Sequence, residues 1–311
     1  MEKKVLGPGS LCLIVNPTAG SGKAMDVLKE VQTLLKKAEV PYTLWETQYP
    51  GHGTELAKKA ALEGFDTVCA LGGDGTVREI ALGLLGTECT LAIIPCGTGN
   101  DFVRPLEIPK DPAGAVDTLL LGKRLTVDCG RANDLLYVNV AGFGFDVDVL
   151  DSVELFKGKT KNGRLAYLKG LFHALKSFHL RKVTYSIDGG AETPCDCLLI
   201  AASNGTHFGG GLGIAPEADP ADGLLDFCII GNVRNLWDVC VLLPAFLRGT
   251  FLKLTKYVTY CRGKILTACC DPASRIQVDG ERLPGTPVTF ALAEEKLRVL
   301  VPSWRKEKVR A

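Results

Sequence analysis

Short apolar runs alternate with stretches of helical periodicity in the first part of the chain. The run 11–15 (LCLIV) is continuously apolar, and residues 22–38 follow it with apolar side chains three or four positions apart. The same alternation predicts further strands at 42–46, 67–71 and 91–94, and helices at 53–63 and 76–85. Because strands that alternate with helices are typical of a parallel sheet, we predict an N-terminal α/β domain over residues 1–124.

Short strands separated by Gly, Pro and Asp follow from residue 125 onward. Residues 125–128 and 135–140 are expected to form antiparallel strands joined by a short turn. Further strands are predicted at 182–187, 195–202, 224–230, 256–270, 274–279, 287–292 and 296–301. This pattern is typical of a β-sandwich, so we assign residues 125–311 to a second, β-sandwich domain. Whether the last segment, 296–311, returns to the first domain is open at this point.

Glycine-rich loops follow three of the strands predicted for the first domain. They are residues 16–23 (NPTAGSGK), 72–76 (GGDGT) and 95–101 (PCGTGND), and each is expected to lead into a helix. Loops that follow parallel strands meet at one edge of the sheet, where ligands bind. Any one of these loops also fits an ordinary turn. Together they predict a phosphate site, because glycine backbone amides and helix N-termini suit phosphate groups.

Two common nucleotide motifs do not fit the first loop. A Walker A loop requires Gly where Pro17 stands and Ser or Thr where Ala24 stands, and no G-x-G-x-x-G follows the first strand. Asp74 instead places a carboxylate among the phosphate-binding amides. A carboxylate repels a triphosphate unless it binds a divalent cation or accepts a proton from an attacking hydroxyl, and both roles belong to phosphoryl transfer.

The three loops contain the motifs N-P-x-A-G-x-G-K, G-G-D-G-T-x-x-E and P-x-G-T-G-N-D-F, in this order. This combination resembles the lipid kinase family that includes bacterial diacylglycerol kinases, YegS-like lipid kinases and, more distantly, sphingosine and ceramide kinases. The resemblance extends over nearly the whole chain, with further matches at 142–146 (GFGFD), 215–223 and 278–281 (VDGE).

The resemblance implies that ATP binds in a cleft between the two domains. The residues that it places around the nucleotide are Asn16, Thr47, Gly72, Gly73, Asp74, Gly75, Thr76 and Thr98. From the residues alone, Asn16 also fits the start of a turn, Thr47 also fits a polar position at the end of a strand, and Asn100 and Asp101 also fit caps of a following helix.

The resemblance also implies the catalytic groups. It places Asp279 and Glu281 opposite the GGDGT loop, where paired carboxylates suit a base for the lipid hydroxyl and a ligand for the catalytic Mg²⁺. We rank Glu281 first as the base, with Asp279 as the alternative. Asp74 is predicted to be a further catalytic residue. Without the resemblance, Asp279-Gly280 between two strands is a signal for a hairpin.

A second, structural Mg²⁺ site is implied at Asp219, Asp222 and Leu224. The Asp222 carboxylate would bind the ion together with the backbone carbonyl oxygens of Asp219 and Leu224. Hard oxygen ligands from a loop suit Mg²⁺. The same segment, D-P-x-D-G, also fits a turn that needs no metal.

A basic segment suggests a contact with the membrane. Residues 157–182 contain eight Lys or Arg and no acidic residue, and Leu and Phe form an apolar stripe among them. Such a helix can lie on an anionic membrane surface, although packing on the second domain explains the stripe equally well. Residues 236–252 either cover a lipid-binding pocket or belong to the core.

The composition of the chain argues against several other classes of protein. The formal net charge of +1 argues against a nucleic acid partner, and the longest apolar stretch, 239–247, is much shorter than the ~20 residues of a membrane span. The first residues do not resemble a signal peptide, and most of the 12 cysteines lie in apolar runs without the spacing of a zinc site. We expect a reduced, cytoplasmic setting with peripheral contact at the inner face of the membrane.

We therefore predict an ATP- and Mg²⁺-dependent lipid kinase of phospholipid biosynthesis. By resemblance the acceptor is diacylglycerol and the product phosphatidic acid. The alternatives are a kinase for a sphingoid base, phosphatidylglycerol or a prenol, then an NAD kinase, which shares the GGDGT loop, and then a non-catalytic nucleotide-binding regulator. The resemblance also implies a homodimer.

Overall fold

The structure is a computed structural model that describes residues 10–156, 163–175 and 179–306. The chain divides into two compact units. The first unit runs to Asp128 and resumes at Glu295, and the second comprises Cys129–Glu294. The predicted fold class is confirmed, because a parallel sheet covered by helices is followed by an antiparallel, sandwich-like sheet.

The first unit is built on a sheet whose interior strands are buried. Its strands are β1 (Leu11–Val15), β2 (Thr43–Glu46), β3 (Thr67–Gly72), β4 (Thr90–Pro95), β5 (Lys123–Val127) and, from the end of the chain, β19 (Leu297–Val301). Among the described residues they pair in the order β2-β1-β3-β4-β19-β5. β5 runs antiparallel to β19, and the other pairs are parallel. Every residue of β1, β3 and β4 is buried, which explains their continuous apolar runs.

The helices of the first unit follow the predicted periodicity with one addition. They are α1 (Ala24–Lys37), α2 (His52–Leu62), α3 (Asp74–Leu84) and α4 (Pro112–Leu121). In α1, Leu28, Val31 and Leu35 recur at helical spacing and are buried. The predicted elements do not include α4. Its N-terminal signal is nevertheless present, because Asp111 accepts a hydrogen bond from the Gly114 amide at 2.8 Å and Pro112 occupies the first helical position.

The last strand of the chain lies in the first sheet. β19 pairs with β4 on one side and β5 on the other. Leu297, Val299 and Val301 are fully buried. The first unit therefore contains residues from both ends of the sequence.

The second unit is built on an antiparallel sheet. Its strands are β6 (Gly130–Ala132), β7 (Leu135–Tyr137), β8 (Val140–Gly144), β9 (Arg181–Ile187), β10 (Thr193–Ser203), β13 (Leu225–Gly231), β14 (Val258–Gly263), β15 (Ile265–Asp271), β16 (Ile276–Val278), β17 (Glu281–Leu283) and β18 (Val288–Leu292), with β11 (His207–Phe208) and β12 (Leu212–Gly213) forming a separate pair. β7 contacts β16 although the two stand at opposite ends of the pairing order. The sheet therefore folds back on itself around a core that contains Phe143, Phe227 and Phe290.

A second apolar core lies between this sheet and three described helices. These are α5 (Phe145–Glu154), α6 (Gly163–Ala174) and α7 (Leu236–Leu247). Successive residues of β13 alternate between the two cores, with Phe227 and Ile229 in the first and Cys228 and Ile230 in the second. β13 is therefore buried along its whole length.

Two predicted features of the strand pattern are wrong. Residues 125–128 largely belong to β5 of the first sheet, so they do not pair with 135–140, which is divided between β7 and β8. The single strand predicted at 256–270 is two strands, because the chain changes partners at Lys264. β14 pairs with β13, whereas β15 pairs with β9 and β18.

The predicted basic segment falls only partly within the described residues. Residues 157–162 and 176–178 lie outside them, and α6 and the start of β9 cover much of the rest. No helix in the described part of the chain has the length and apolarity needed to cross a membrane.

We expect Val299→Asp to lower the free energy of unfolding by more than about 3 kcal/mol, because it places an unpaired carboxylate between β4 and β5. Thermal unfolding followed by circular dichroism measures this change. Arg298→Ala is the matched control, since the neighbouring Arg298 side chain is 37% exposed. A variant at Val299 that melts like the wild type would contradict the position of β19 inside the first sheet.

Candidate functional site

The first two glycine-rich loops meet at the carboxyl edge of the first sheet. β1 and β3 are neighbours, but the chain continues from β1 to β2 on one side and from β3 to β4 on the other. Ligands bind at such switch points in parallel sheets. The Asn16 side-chain amide donates a hydrogen bond to Thr76 Oγ1 at 3.0 Å across this point, so the two loops are in direct contact.

Glycines allow the three loops to pack closely. A Cβ atom on Gly97 would lie only 2.5 Å from the Cα atom of Gly73. The absence of a side chain at Gly97 therefore allows the third loop to pack directly on the second. Gly20 has a φ of +61°, and a Cβ atom there would collide with the carbonyl oxygen of Cys96. Part of the glycine pattern therefore serves contact between loops.

The Asp74 carboxylate binds backbone amides of the third loop. Its Oδ2 atom accepts a hydrogen bond from the Asn100 amide at 2.7 Å, and its Oδ1 atom accepts one from the Asp101 amide at 2.6 Å. The carboxylate thus holds the third loop against the N-terminus of α3.

The expectation that the third loop leads into a helix is wrong. Asn100 has a φ of +49°, and its side chain hydrogen-bonds the backbone amide and carbonyl of Gly97. The chain continues in turns as far as residue 107, and the next helix, α4, begins at Pro112. Asn100 and Asp101 therefore shape the loop and do not cap a following helix.

A pocket of about 530 Å³ lies over these loops, within the first unit. It brings together most of the predicted nucleotide residues, namely Asn16, Thr47, Gly73, Gly75, Thr76 and Thr98. Gly72 ends β3, where a Cβ atom would press on the Thr76 side chain, and Asp74 is turned toward the third loop.

The pocket wall also contains residues for which no role was predicted. These are chiefly Gln48, Tyr49, Pro50 and Glu79. The Glu79 carboxylate accepts hydrogen bonds from the amides of Gly51 and Gly53 at 2.9 and 3.0 Å, which fixes the start of α2 against α3. Glu79 was visible as the last residue of G-G-D-G-T-x-x-E. No sequence pattern marks the segment 48–50, which reaches the pocket because it follows β2.

The electrostatics of the pocket depend on the backbone. Among the described residues that line it there is no Lys or Arg. The N-terminus of α3 and the 3₁₀ turn at Ala19–Gly22 supply partial positive charge, because first-turn amides lack intrahelical acceptors. Such amides suit phosphate oxygens.

Asp279 and Glu281 lie on a β-hairpin of the second unit. Asp279 and Gly280 have φ values of 48° and 87° and connect β16 to β17 as a two-residue turn. Glu281 pairs with Val278, and its side chain is exposed. The hairpin interpretation is thus correct for the backbone, and it presents Glu281 to solvent.

The Asp279 carboxylate accepts hydrogen bonds from three successive backbone amides. The donors are Val138 at 2.9 Å, Asn139 at 3.0 Å and Val140 at 3.0 Å. Both Asp279 oxygens take part in these bonds, whereas the Glu281 side chain is exposed. Asp279 thus fixes the hairpin to the connection between β7 and β8.

The segment proposed for structural Mg²⁺ is a turn formed by its own hydrogen bonds. Asp219 Oδ1 accepts a bond from the Ala221 amide at 3.2 Å, and Asp222 Oδ1 accepts one from the Leu224 amide at 3.0 Å. The Asp219 carbonyl oxygen also accepts a hydrogen bond from the Asp222 amide at 3.3 Å. Carboxylate and carbonyl oxygens are the donor types that suit Mg²⁺.

We expect Asp74→Asn to lower the free energy of unfolding by about 1–3 kcal/mol without any ligand. The asparagine side chain keeps only one acceptor oxygen for the two third-loop amides, so one of these hydrogen bonds is lost. Urea denaturation measures the change. Asp26→Asn is the control, since Asp26 lies on α1 with its side chain 81% exposed. Unchanged stability for Asp74→Asn would contradict its role in holding the loop.

Two family models match successive parts of the chain. The model for the diacylglycerol kinase catalytic domain matches residues 10–132. The model for the YegS C-terminal NAD kinase beta sandwich-like domain matches residues 139–301.

Full-length relatives agree with these matches. A diacylglycerol kinase of Bacillus subtilis is 31% identical over 96% of this chain and 98% of its own length. A diacylglycerol kinase of Mycobacterium tuberculosis is 30% identical over 94% of this chain and 96% of its own length. The crystal structure of a diacylglycerol kinase from Bacillus anthracis shares the fold, with a TM-score of 0.72 and 23% identity over 94% of this chain and 96% of that one. With both family models matching in order and relatives similar from end to end, the chain belongs to the family of diacylglycerol kinases and YegS-like lipid kinases, which are phosphotransferases.

Proposed function

We propose that the protein transfers the γ-phosphate of ATP to the free hydroxyl of diacylglycerol and so forms phosphatidic acid. The observation that supports this most strongly is the pocket of the first unit. It combines glycine-rich loops with a helix N-terminus, and no basic side chain occurs among its described lining residues. The relatives named diacylglycerol kinase make diacylglycerol the first acceptor to test.

The nucleotide would bind with its phosphates over the second loop. The amides of Gly75 and Thr76 lie in the first turn of α3, where they can donate to phosphate oxygens. Asn16 and Thr98 line the same pocket and offer side-chain donors. Tyr49, which stacks on His52 with ring centroids 4.4 Å apart, offers an aromatic surface beside them.

Mg²⁺ would be held by the phosphate oxygens, with acidic groups completing its coordination, and would offset the charge that the pocket leaves uncompensated. Asp74 keeps its role as a positioning group, since both of its oxygens accept backbone hydrogen bonds. The Asp219, Asp222 and Leu224 turn would hold a second Mg²⁺ that rigidifies the second unit.

Glu281 would take the proton from the lipid hydroxyl as that oxygen attacks the γ-phosphorus atom. The bond from the γ-phosphorus to the bridging oxygen breaks, and ADP leaves. Transfer by this route requires Glu281 and the γ-phosphate to meet at the lipid hydroxyl.

Peripheral contact with a membrane would give the protein access to its lipid. Large apolar side chains are exposed on two neighbouring helices of the second unit, with Leu165 and Phe172 on α6 and Trp237 and Val241 on α7. The Lys and Arg residues of 157–182 add positive charge to the same part of the sequence. An anionic inner membrane face suits this combination.

We expect Glu281→Gln to lower the rate of phosphate transfer by about 100-fold or more, because it removes the proton acceptor. The assay follows labelled γ-phosphate into mixed micelles of diacylglycerol, sphingosine, phosphatidylglycerol or undecaprenol, with NAD in a parallel reaction. Glu192→Gln is the matched control, since Glu192 is an exposed residue of the same unit.

Label in diacylglycerol that needs Mg²⁺ and is lost in Glu281→Gln supports the proposal. If only another lipid becomes labelled, the protein is a lipid kinase with that lipid as its acceptor, and diacylglycerol is the wrong substrate. Label in NAD alone, or ATP binding without transfer to any acceptor, contradicts a lipid kinase of this specificity.

A further inference from the structure

The strand that carries Glu281 receives little support from the sheet. β17 comprises three residues, lies at one end of the pairing order, and pairs with β16 alone among the described strands. The two-residue turn Asp279-Gly280 joins the two strands. Because a short hairpin is only marginally stable by itself, contacts outside the sheet determine how firmly Glu281 is held.

One face of this hairpin is turned toward helix α5. Arg282 of β17 stands opposite Gln277 of β16, which in turn stands opposite Gly142 of β8, so the three positions share a face of the sheet. A Cβ atom on Gly142 would lie 3.1 Å from the Oδ2 atom of Asp146, which belongs to the first turn of α5. The face that contains Arg282 therefore points to α5.

Arg282 binds two carboxylates of this helix. Its Nη1 atom donates a hydrogen bond to Asp151 Oδ1 at 2.5 Å, and its Nη2 atom lies 2.6 Å from Glu154 Oε1. Asp151 and Glu154 are three residues apart on α5, so their side chains are neighbours on one side of the helix. A planar guanidinium group can bind both acceptors at once, which a lysine ammonium group does less well. Arg282 thus connects β17 to α5 at two points.

The turn of the hairpin is held separately. The side-chain oxygen of Gln277 accepts a hydrogen bond from the Gly280 amide at 2.9 Å, and Gln277 is 3% exposed. The Asp279 carboxylate accepts hydrogen bonds from the amides of residues 138–140. These bonds fix the turn, whereas the contact of Arg282 with α5 fixes the strand that follows it.

We propose that Arg282 is a positioning residue for phosphate transfer, which fixes β17 to α5 and thereby sets the position of Glu281. Neighbouring residues of a strand point to opposite faces, so the attachment of Arg282 to α5 directs Glu281 to the other face of the hairpin. The inference rests on the proposed function, in which Glu281 accepts the proton of the lipid hydroxyl. A displaced base slows the chemical step and leaves nucleotide binding unchanged.

The ion pairs of Arg282 contribute little to global stability. The side chains of Arg282, Asp151 and Glu154 are 27%, 35% and 47% exposed. Ion pairs with this much solvent contact add little to the free energy of unfolding. Loss of Arg282 is therefore expected to loosen the hairpin locally and to leave the melting temperature nearly unchanged. A residue needed only for folding would instead lower the melting temperature.

The test measures kcat and KM for transfer from ATP to dioctanoylglycerol in detergent micelles, together with amide hydrogen exchange of the protein alone. We expect Arg282→Ala to lower kcat about tenfold without changing KM for ATP. Exchange of the amides of residues 279–283 is expected to become about fivefold faster or more. Arg282→Lys retains the charge and one ion pair, and is expected to restore part of kcat.

Arg275→Ala is the matched control. Arg275 also binds Asp151, but it precedes β16 and lies outside the hairpin. This variant is expected to keep kcat within about twofold of the wild type. Asp151→Ala combined with Glu154→Ala removes both acceptors and is expected to lower kcat as Arg282→Ala does. Adding Arg282→Ala to that pair is expected to cause little further loss, because all three changes remove the same contact.

Wild-type kcat in Arg282→Ala, or an equal loss of kcat in Arg275→Ala, would overturn the positioning role. A lower kcat with unchanged hydrogen exchange would overturn the attachment of the hairpin as its cause. Failure of the proposed function has a different signature, because the wild type would then transfer phosphate to no lipid. Hydrogen exchange would still decide whether Arg282 fixes β17 to α5.

Discussion

Hydrogen bonds from backbone amides to two aspartate carboxylates hold the functional loops in shape. Asp74 binds the amides of Asn100 and Asp101, which lie on another loop of the first unit. Asp279 binds the amides of residues 138–140 in the second unit. Each carboxylate lies beside a glycine, Asp74 at the start of α3 and Asp279 in the hairpin turn, and each reaches amides distant in the sequence. A charged acceptor makes such bonds stronger than neutral ones, so each bond fixes a loop that glycine alone would leave flexible.

Because Asp74 and Asp279 bind backbone amides, other groups would have to bind the phosphates and accept the proton. The pocket of the first unit offers amides and hydroxyl groups to phosphates, and Glu281 is the exposed carboxylate on the hairpin that Asp279 holds. In the proposed reaction the nucleotide would bind to the backbone of the first unit, and the proton acceptor would come from the second. The proposed reaction depends on both.

The sequence predicted the elements that have strong periodicity. β1, β3, β4 and α1 are buried in the manner that their apolar patterns indicate. The partner of a strand was harder to predict, because pairing depends on residues distant in the sequence. β19 joins β4 and β5, and the segment 256–270 divides where the chain changes partners. For the candidate site, the motifs named residues of which six line one pocket, but they did not predict the direction of the side chains. Neither the contact of Asp74 with the third loop nor the packing of Gly73 on Gly97 follows from a local pattern.

The most direct test of this division of roles is a crystal structure with a non-hydrolysable ATP analogue, Mg²⁺ and dioctanoylglycerol bound together. We expect the γ-phosphate against the amides of Gly75 and Thr76, with the lipid hydroxyl within hydrogen-bonding distance of Glu281. Asp74 and Asp279 should keep their backbone amide partners. A complex in which Asp74 leaves the third loop to bind Mg²⁺, or in which Asp279 contacts the hydroxyl in place of Glu281, would contradict the roles assigned to these carboxylates.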